Sequence, residues 1–171
     1  CVKNYFSKMR IIIVIGLIML MLLPNTIAMQ KSGHINLLAV STEGENETGS
    51  VADLYLEIKS GSGRVFLDTY PLTKLDTQFS TRFAHSIACE YSGKDCKNLD
   101  FFYTIKSRSA IVGGPSAGAA IAILTISMLE DKKIQQDIAI TGTINSGGII
   151  GPIAGIKAKV KAAEDAKLNT V

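Results

Sequence analysis

Gly113-Gly114-Pro115-Ser116-Ala117-Gly118, followed by the largely apolar run from Ala119 to Leu129, is the stretch from which the rest of the chain can be placed. Proline suits the first turn of a helix, where its missing N–H removes no hydrogen bond. Ser116 is therefore expected at or near a helix N-terminus, beside unpaired backbone N–H groups and the positive end of the helix dipole. The small neighbours Gly114, Ala117 and Gly118 leave room for another chain to approach the hydroxyl. Two readings are open at this point. One is a Gly-rich turn with an N-capping serine; the other is a nucleophile whose oxyanion product finds donors close by.

Working outward, the run to Leu129 is apolar on nearly every face, which predicts a buried central helix. Phe101 to Ile105 before it reads as a strand. Asp137 to Thr143 after it alternates Ile138 and Ile140 with Ala139 and Thr141, again a strand. The strand–helix–strand order implies a right-handed crossover and a parallel pair. Asn145 to Gly148 turns the chain into Ile149-Ile150, and a last helix is expected from near Gly155.

Towards the N-terminus, Thr73-Lys74-Leu75-Asp76 has the form of a capping box with Asp in the final position. The helix it opens carries Leu75, Phe79, Phe83 and Ile87 at core spacing and ends near Gly93. His85 falls on the opposite, polar face with Gln78 and Arg82. Cys89 and Cys96 flank the helix end and are read either as a disulfide or as unpaired packing cysteines. Leu54, Leu56 and Ile58 alternate with Tyr55, Glu57 and Lys59 as a strand, and Gly61-Ser62-Gly63 turns it into Val65 to Leu67 as a hairpin. Ile35 to Val40 is a further strand after a linker holding His34. Glu43 to Ser50 is expected as an acidic loop carrying the glycosylation sequon Asn46-Glu47-Thr48.

The first thirty residues stand apart. Lys8-Met9-Arg10 precedes Ile11 to Leu23, which contains nothing charged or polar, and Pro24 to Ala28 supplies a breaker and small residues suited to cleavage after Ala28. This is the pattern of a secretory leader, and the run is also close to the length of a membrane anchor. Residues 1–30 are accordingly assigned to a signal peptide or N-terminal membrane anchor and 31–171 to one domain, placed outside the cytoplasm. Met9 reads as the true start, with Cys1 to Lys8 an upstream artefact.

Composition excludes several functions. A net charge of +3 among 171 residues, with Lys and Arg scattered, argues against nucleic acid. Three cysteines without a CxxC pair and only two histidines argue against a zinc site, so no metal and no cofactor is expected.

A serine hydroxyl needs a base within hydrogen-bond reach, and neither histidine is well placed to serve. In the last helix Lys159 shares the apolar face of Ile156, Val160 and Ala163, whereas Lys157 and Lys161 point away with Glu164 and Asp165. A lysine turned inward either lowers its pKa and becomes a base or packs its stem and extends its amine to water.

With both residues in hand, Gly114-Pro-Ser-Ala-Gly118, Asp137-Ile-Ala-Ile-Thr-Gly142 and Gly155-Ile-Lys-Ala-Lys-Val160 resemble the proteolytic domain of the Lon proteases. The resemblance implies an α+β domain of the fold found in the second domain of ribosomal protein S5, with β-hairpins, a βαβ unit and a buried central helix. It also implies a Ser-Lys dyad of Ser116 and Lys159, with Thr141 hydrogen-bonding the lysine amine. Backbone N–H groups around Gly114, Ser116 and Ala117 would then hold the oxyanion. An acidic residue common in the family three positions before the serine is replaced by Gly113, with Asp137 a weak substitute. No phosphate-binding GK[ST] loop occurs and no AAA+ module precedes the domain. The sequence stops at Asn169-Thr170-Val171, where the family begins another strand, which reads as a C-terminally incomplete domain.

The expectation is thus an exported or membrane-tethered, ATP-independent endopeptidase acting on unfolded polypeptides, as a homo-oligomer that the resemblance suggests is a six-membered ring. Two rivals are a catalytically silent domain that binds peptides or assembles, and a small-molecule kinase of the same broad fold.

Overall fold

The computed structural model describes residues 13–14, 30–43 and 46–171. Strands β1 (Gln30–Glu43), β2 (Asn46–Ser60), β3 (Val65–Thr73) and β4 (Leu99–Val112) form one sheet in the order β1-β2-β4-β3. Helix α1 (Leu75–Ser92) joins β3 to β4, and helix α2 (Gly118–Leu129) follows β4. A short hairpin of β5 (Thr143–Ile144) and β6 (Ile150–Gly151) leads into helix α3 (Ile156–Asp165).

Period-two alternation decides which sheet face is covered. It buries Ile35 and Leu37 on β1, Leu54, Leu56 and Ile58 on β2, and Phe101, Tyr103 and Ile105 on β4. Ile121, Leu124 and Met128 of α2 complete this core. At its centre the Tyr103 and Thr125 hydroxyls share a hydrogen bond of 2.8 Å, and Thr125 also donates to the Ile121 carbonyl. Buried hydroxyls thereby keep their partners.

The β2–β3 hairpin expected from Gly61-Ser62-Gly63 does not form. β2 pairs antiparallel with β4, and β3 pairs parallel with the far side of β4. The turn is tied to β4 instead: Gly61 and Gly63 donate to the carbonyls of Asn98 and Leu99. The Asp100 carboxylate accepts from the Arg64 guanidinium and from the Ser62 and Arg64 amides, which together, the guanidinium most, hold it down at about 2. A Cβ on Gly61 would come within 2.2 Å of that carboxylate. The parallel crossover accordingly runs β3–α1–β4. Of residues 137–143 only Thr143 belongs to a strand, the short β5; the stretch before it makes single bridges to β1 at Asn36↔Ala139 and to the chain end at Ile138↔Thr170, both parallel.

Other expectations are corrected along the chain. His34 lies within β1, where its ring nitrogens meet Asp53 and Gln136. Glu43 and Asn46 pair with each other, so strand flanks residues 44–45, which lie outside the described residues. No capping box closes α1: Lys74 is the N-cap without a side-chain bond, and Asp76 turns elsewhere. Gly93, at φ 61°, ends the helix as expected.

Helix α1 is rotated from the face its large residues suggest. Thr77, Ser80, Thr81, Ala84 and Ala88 are buried, while Leu75, Phe79 and Phe83 are exposed. His85 is not solvated; its ring packs edge-on against Phe101 at 4.4 Å, and burial together with Arg82 lowers it to about 4. Cys89 and Cys96 form a disulfide that ties the end of α1 to the start of the short 3-10 turn Cys96–Asn98.

Among the described residues no helix is long and apolar enough to cross a membrane. The leader or anchor expected over residues 11–23 lies outside the described residues, save 13–14.

Candidate active site

The turn that presents Ser116 is a 3-10 turn, Pro115–Ala117, entered through Gly114 at φ 98°. Only glycine adopts that conformation without strain. The long helix itself starts two residues after the serine, at Gly118, so Ser116 stands just off its positive end.

Two backbone bonds stitch this turn to the segment after α2. Gly142 donates to the Ser116 carbonyl at 2.9 Å, and Ala119 donates to the Gly142 carbonyl at 3.0 Å. Thr141 is thereby fixed beside the serine, and its hydroxyl reaches the Ser116 carbonyl at 3.5 Å.

Helix α3 brings the third group. Gly155 caps it in the left-handed region at φ 66°, pressed against Val40 of β1. Lys159, one turn on, is 3% exposed, and its Nζ lies 3.0 Å from Ser116 Oγ and 3.0 Å from Thr141 Oγ1. Ala162 and Ala163 share its buried face, whereas Ile156 and Val160, expected there, are exposed. The reason is steric: α3 lies so close to the sheet that its inner face is lined by alanines.

Among the described residues Lys159 Nζ has two hydroxyl partners and no ion pair. Burial therefore acts unopposed on the charged form and pushes this amine below its ordinary value of 10.5. A neutral amine so placed can accept the Ser116 proton while donating to Thr141. Asp137, considered as a substitute carboxylate, instead binds Asn169 through both backbone and side chain. At Gly113 a Cβ would strike the Lys74 stem at 2.7 Å, so that stem fills the space of the missing acid.

Three residues escaped the sequence reading. Asp76 Oδ1 accepts from the Gly114 N–H at 3.1 Å, Thr77 Oγ1 donates to the Gly114 carbonyl at 3.2 Å, and Ser80 Oγ donates to the Pro115 carbonyl at 3.0 Å. The first turns of α1 thus clamp the turn just ahead of the serine. The signal was present as Asp, Thr and Ser at helical spacing, but nothing local says what they face. The Gly114 N–H, engaged by Asp76, is not free to bind an oxyanion, which leaves Ser116 and Ala117 of the three positions first considered.

A cleft of about 320 Å³ opens over this constellation. Leu37 to Val40 of β1 form one wall, Pro152 to Ala154 another, and Glu47 is the carboxylate among its lining residues. Neither Asn46, exposed at the start of β2, nor the Cys89–Cys96 bond is among the residues lining it.

Residues 84–171 match the family model described as the Lon protease (S16) C-terminal proteolytic domain. The chain is 38% identical over 80 residues to an archaeal Lon protease of Thermoplasma acidophilum, covering 47% of this chain and 12% of that protein. It is 34% identical over 125 residues to a Lon protease of Paraburkholderia phytofirmans, covering 69% of this chain and 15% of that protein. Over 140 residues it is 29% identical to an archaeal Lon protease of Archaeoglobus fulgidus, covering 81% of this chain and 22% of that protein. The chain therefore spans less than a quarter of each of these relatives.

Proposed function

The chain belongs to the Lon protease C-terminal proteolytic domain family, and from that premise we propose that it is a serine endopeptidase working through a Ser116–Lys159 dyad. The observation that carries this reading is the approach of a buried amine, without an ion pair among the described residues, to a serine hydroxyl at 3.0 Å.

In the proposed reaction neutral Lys159 takes the Ser116 proton as Oγ attacks the peptide carbonyl. The resulting ammonium gives that proton to the leaving amine as the C–N bond breaks, and an acyl-serine remains. Water, activated by the same amine, then hydrolyses the ester and restores the hydroxyl. Thr141 holds the amine in line. The N–H groups of Ser116 and Ala117 stabilise the oxyanion, at about 10²–10³ in rate for each donor.

The apolar walls of the cleft suit extended, unfolded polypeptide, and the dyad needs no nucleotide. Export or membrane attachment through residues 1–30 and assembly into a homo-oligomeric ring of six belong to the same reading. The deciding experiment is nucleotide-free casein hydrolysis by the chain beside its Ser116→Ala and Lys159→Ala variants. Cleavage that persists in either variant would sink the dyad.

A further inference from the structure

The corner at the far end of α1 contains a second chemical constellation. His85 and Cys89 lie one helical turn apart on the same face, and the disulfide brings Cys96 to them. His85 Nε2 is 3.5 Å from Cys89 Sγ, and the three donor atoms all lie within 4.8 Å of one another. All three residues are half-buried.

These distances suit a tetrahedral metal. Zn–S bonds of about 2.3 Å and Zn–N bonds of about 2.0 Å place nitrogen and sulfur about 3.6 Å apart, and sulfur and sulfur about 3.8 Å apart. The nitrogen–sulfur separation already has that value. The imidazole is also held in orientation by its edge-on contact with Phe101. The spacing His-x₃-Cys-x₆-Cys lacks a CxxC, which is why sequence inspection passes over it.

We propose that reduction of the Cys89–Cys96 disulfide converts this corner into a binding site for a zinc-class divalent cation, held by His85 Nε2 and two thiolates. A dithiol reductant supplies two electrons to the S–S bond, yielding two thiols and its own disulfide. The cation then displaces both thiol protons without changing its oxidation state. Three protein ligands leave a fourth position for water. Oxidation releases the metal and re-forms the disulfide, so bond and ion exclude each other. The site lies about 20 Å along α1 from the serine clamp, at 1.5 Å per residue over the thirteen residues from Asp76 to Cys89.

Co²⁺ titration of the full chain tests this, in a Cys1→Ser background that removes the third cysteine. The reduced chain should bind one Co²⁺ with thiolate charge-transfer and tetrahedral d–d absorption, bleached by Zn²⁺; the oxidised chain should bind none. His85→Gln should weaken binding at least about 10-fold, since losing a direct ligand costs no less than losing an outer-shell partner. Cys96→Ser should weaken binding and cut the charge-transfer band back to that of the one remaining thiolate, Cys89. Circular dichroism against the reduced parent, which also lacks the disulfide, identifies variants that remain folded. No tetrahedral spectrum from the reduced chain, or unchanged affinity in folded His85→Gln, overturns the proposal.

Discussion

The carbonyl oxygen of Ala158 lies 2.0 Å from where a Cβ on Gly49 would stand. Helix α3 rests directly on the backbone of β2 at this point, and Lys159 is the next residue. Gly49→Ala must therefore lift the helix. We expect a stability loss of about 1–3 kcal/mol from overpacking. A displacement near 1 Å at Lys159 should lower kcat by about 10². Peptidase kinetics beside a urea melt check both. Unchanged kcat in a folded variant would mean that the helix does not need this seat.

The buried amine also fixes the pH dependence. Activity should rise with pH through the Lys159 titration, with a midpoint below 10.5. For stability the sign follows from proton binding: between the lowered folded value and the unfolded one, the unfolded chain holds more protons. The penalty of burying the ammonium is therefore complete below the folded value and disappears as pH approaches 10.5. Lys159→Met should be inactive, more stable than the parent near neutrality, and progressively less so as pH rises. Paired denaturation curves across pH measure this.

The clamp on the Ser116 turn should act on kcat more than on KM, because Thr77 and Ser80 bond backbone carbonyls of that turn. Thr77→Val leaves the Gly114 carbonyl without that donor, at a cost of about 1–2 kcal/mol. If that cost falls on the serine's placement, kcat drops about 10-fold. Thr77→Ser should restore it. A loss of Tm with kcat intact would make Thr77 a stabilising residue only.

Reduction of the disulfide, in metal-free buffer, should lower the unfolding free energy by about 2–3 kcal/mol, given the sequence separation of 7. The Cys89→Ser variant should show the same loss and no further response to reductant. Chemical denaturation with and without a dithiol measures it.

How far the sequence carried the fold depended on whether the deciding contact was local. Period-two alternation in Leu54, Leu56 and Ile58 reports a strand because the face is set residue by residue. Pairing is not local: Gly61-Ser62-Gly63 reads as a hairpin, yet Asp100, far along the chain, captures the turn and puts β4 beside β2. Helix α1 misleads for a related reason. Its stripe of Leu75, Phe79 and Phe83 has core spacing, but the helix buries its small residues instead. At the site, Lys159 was legible because two neighbouring lysines had clear solvent positions. Asp76, Thr77 and Ser80 were not, since their partners lie 35 to 38 residues away.

Ser116 and Lys159 are separated by 43 positions, and the amine arrives only when α3 settles on Gly49. During synthesis the Ser116 hydroxyl leaves the ribosome well ahead of the Lys159 amine. In the proposed dyad a half-made chain therefore has a serine without its amine, and hydrolysis awaits completion of the tertiary fold.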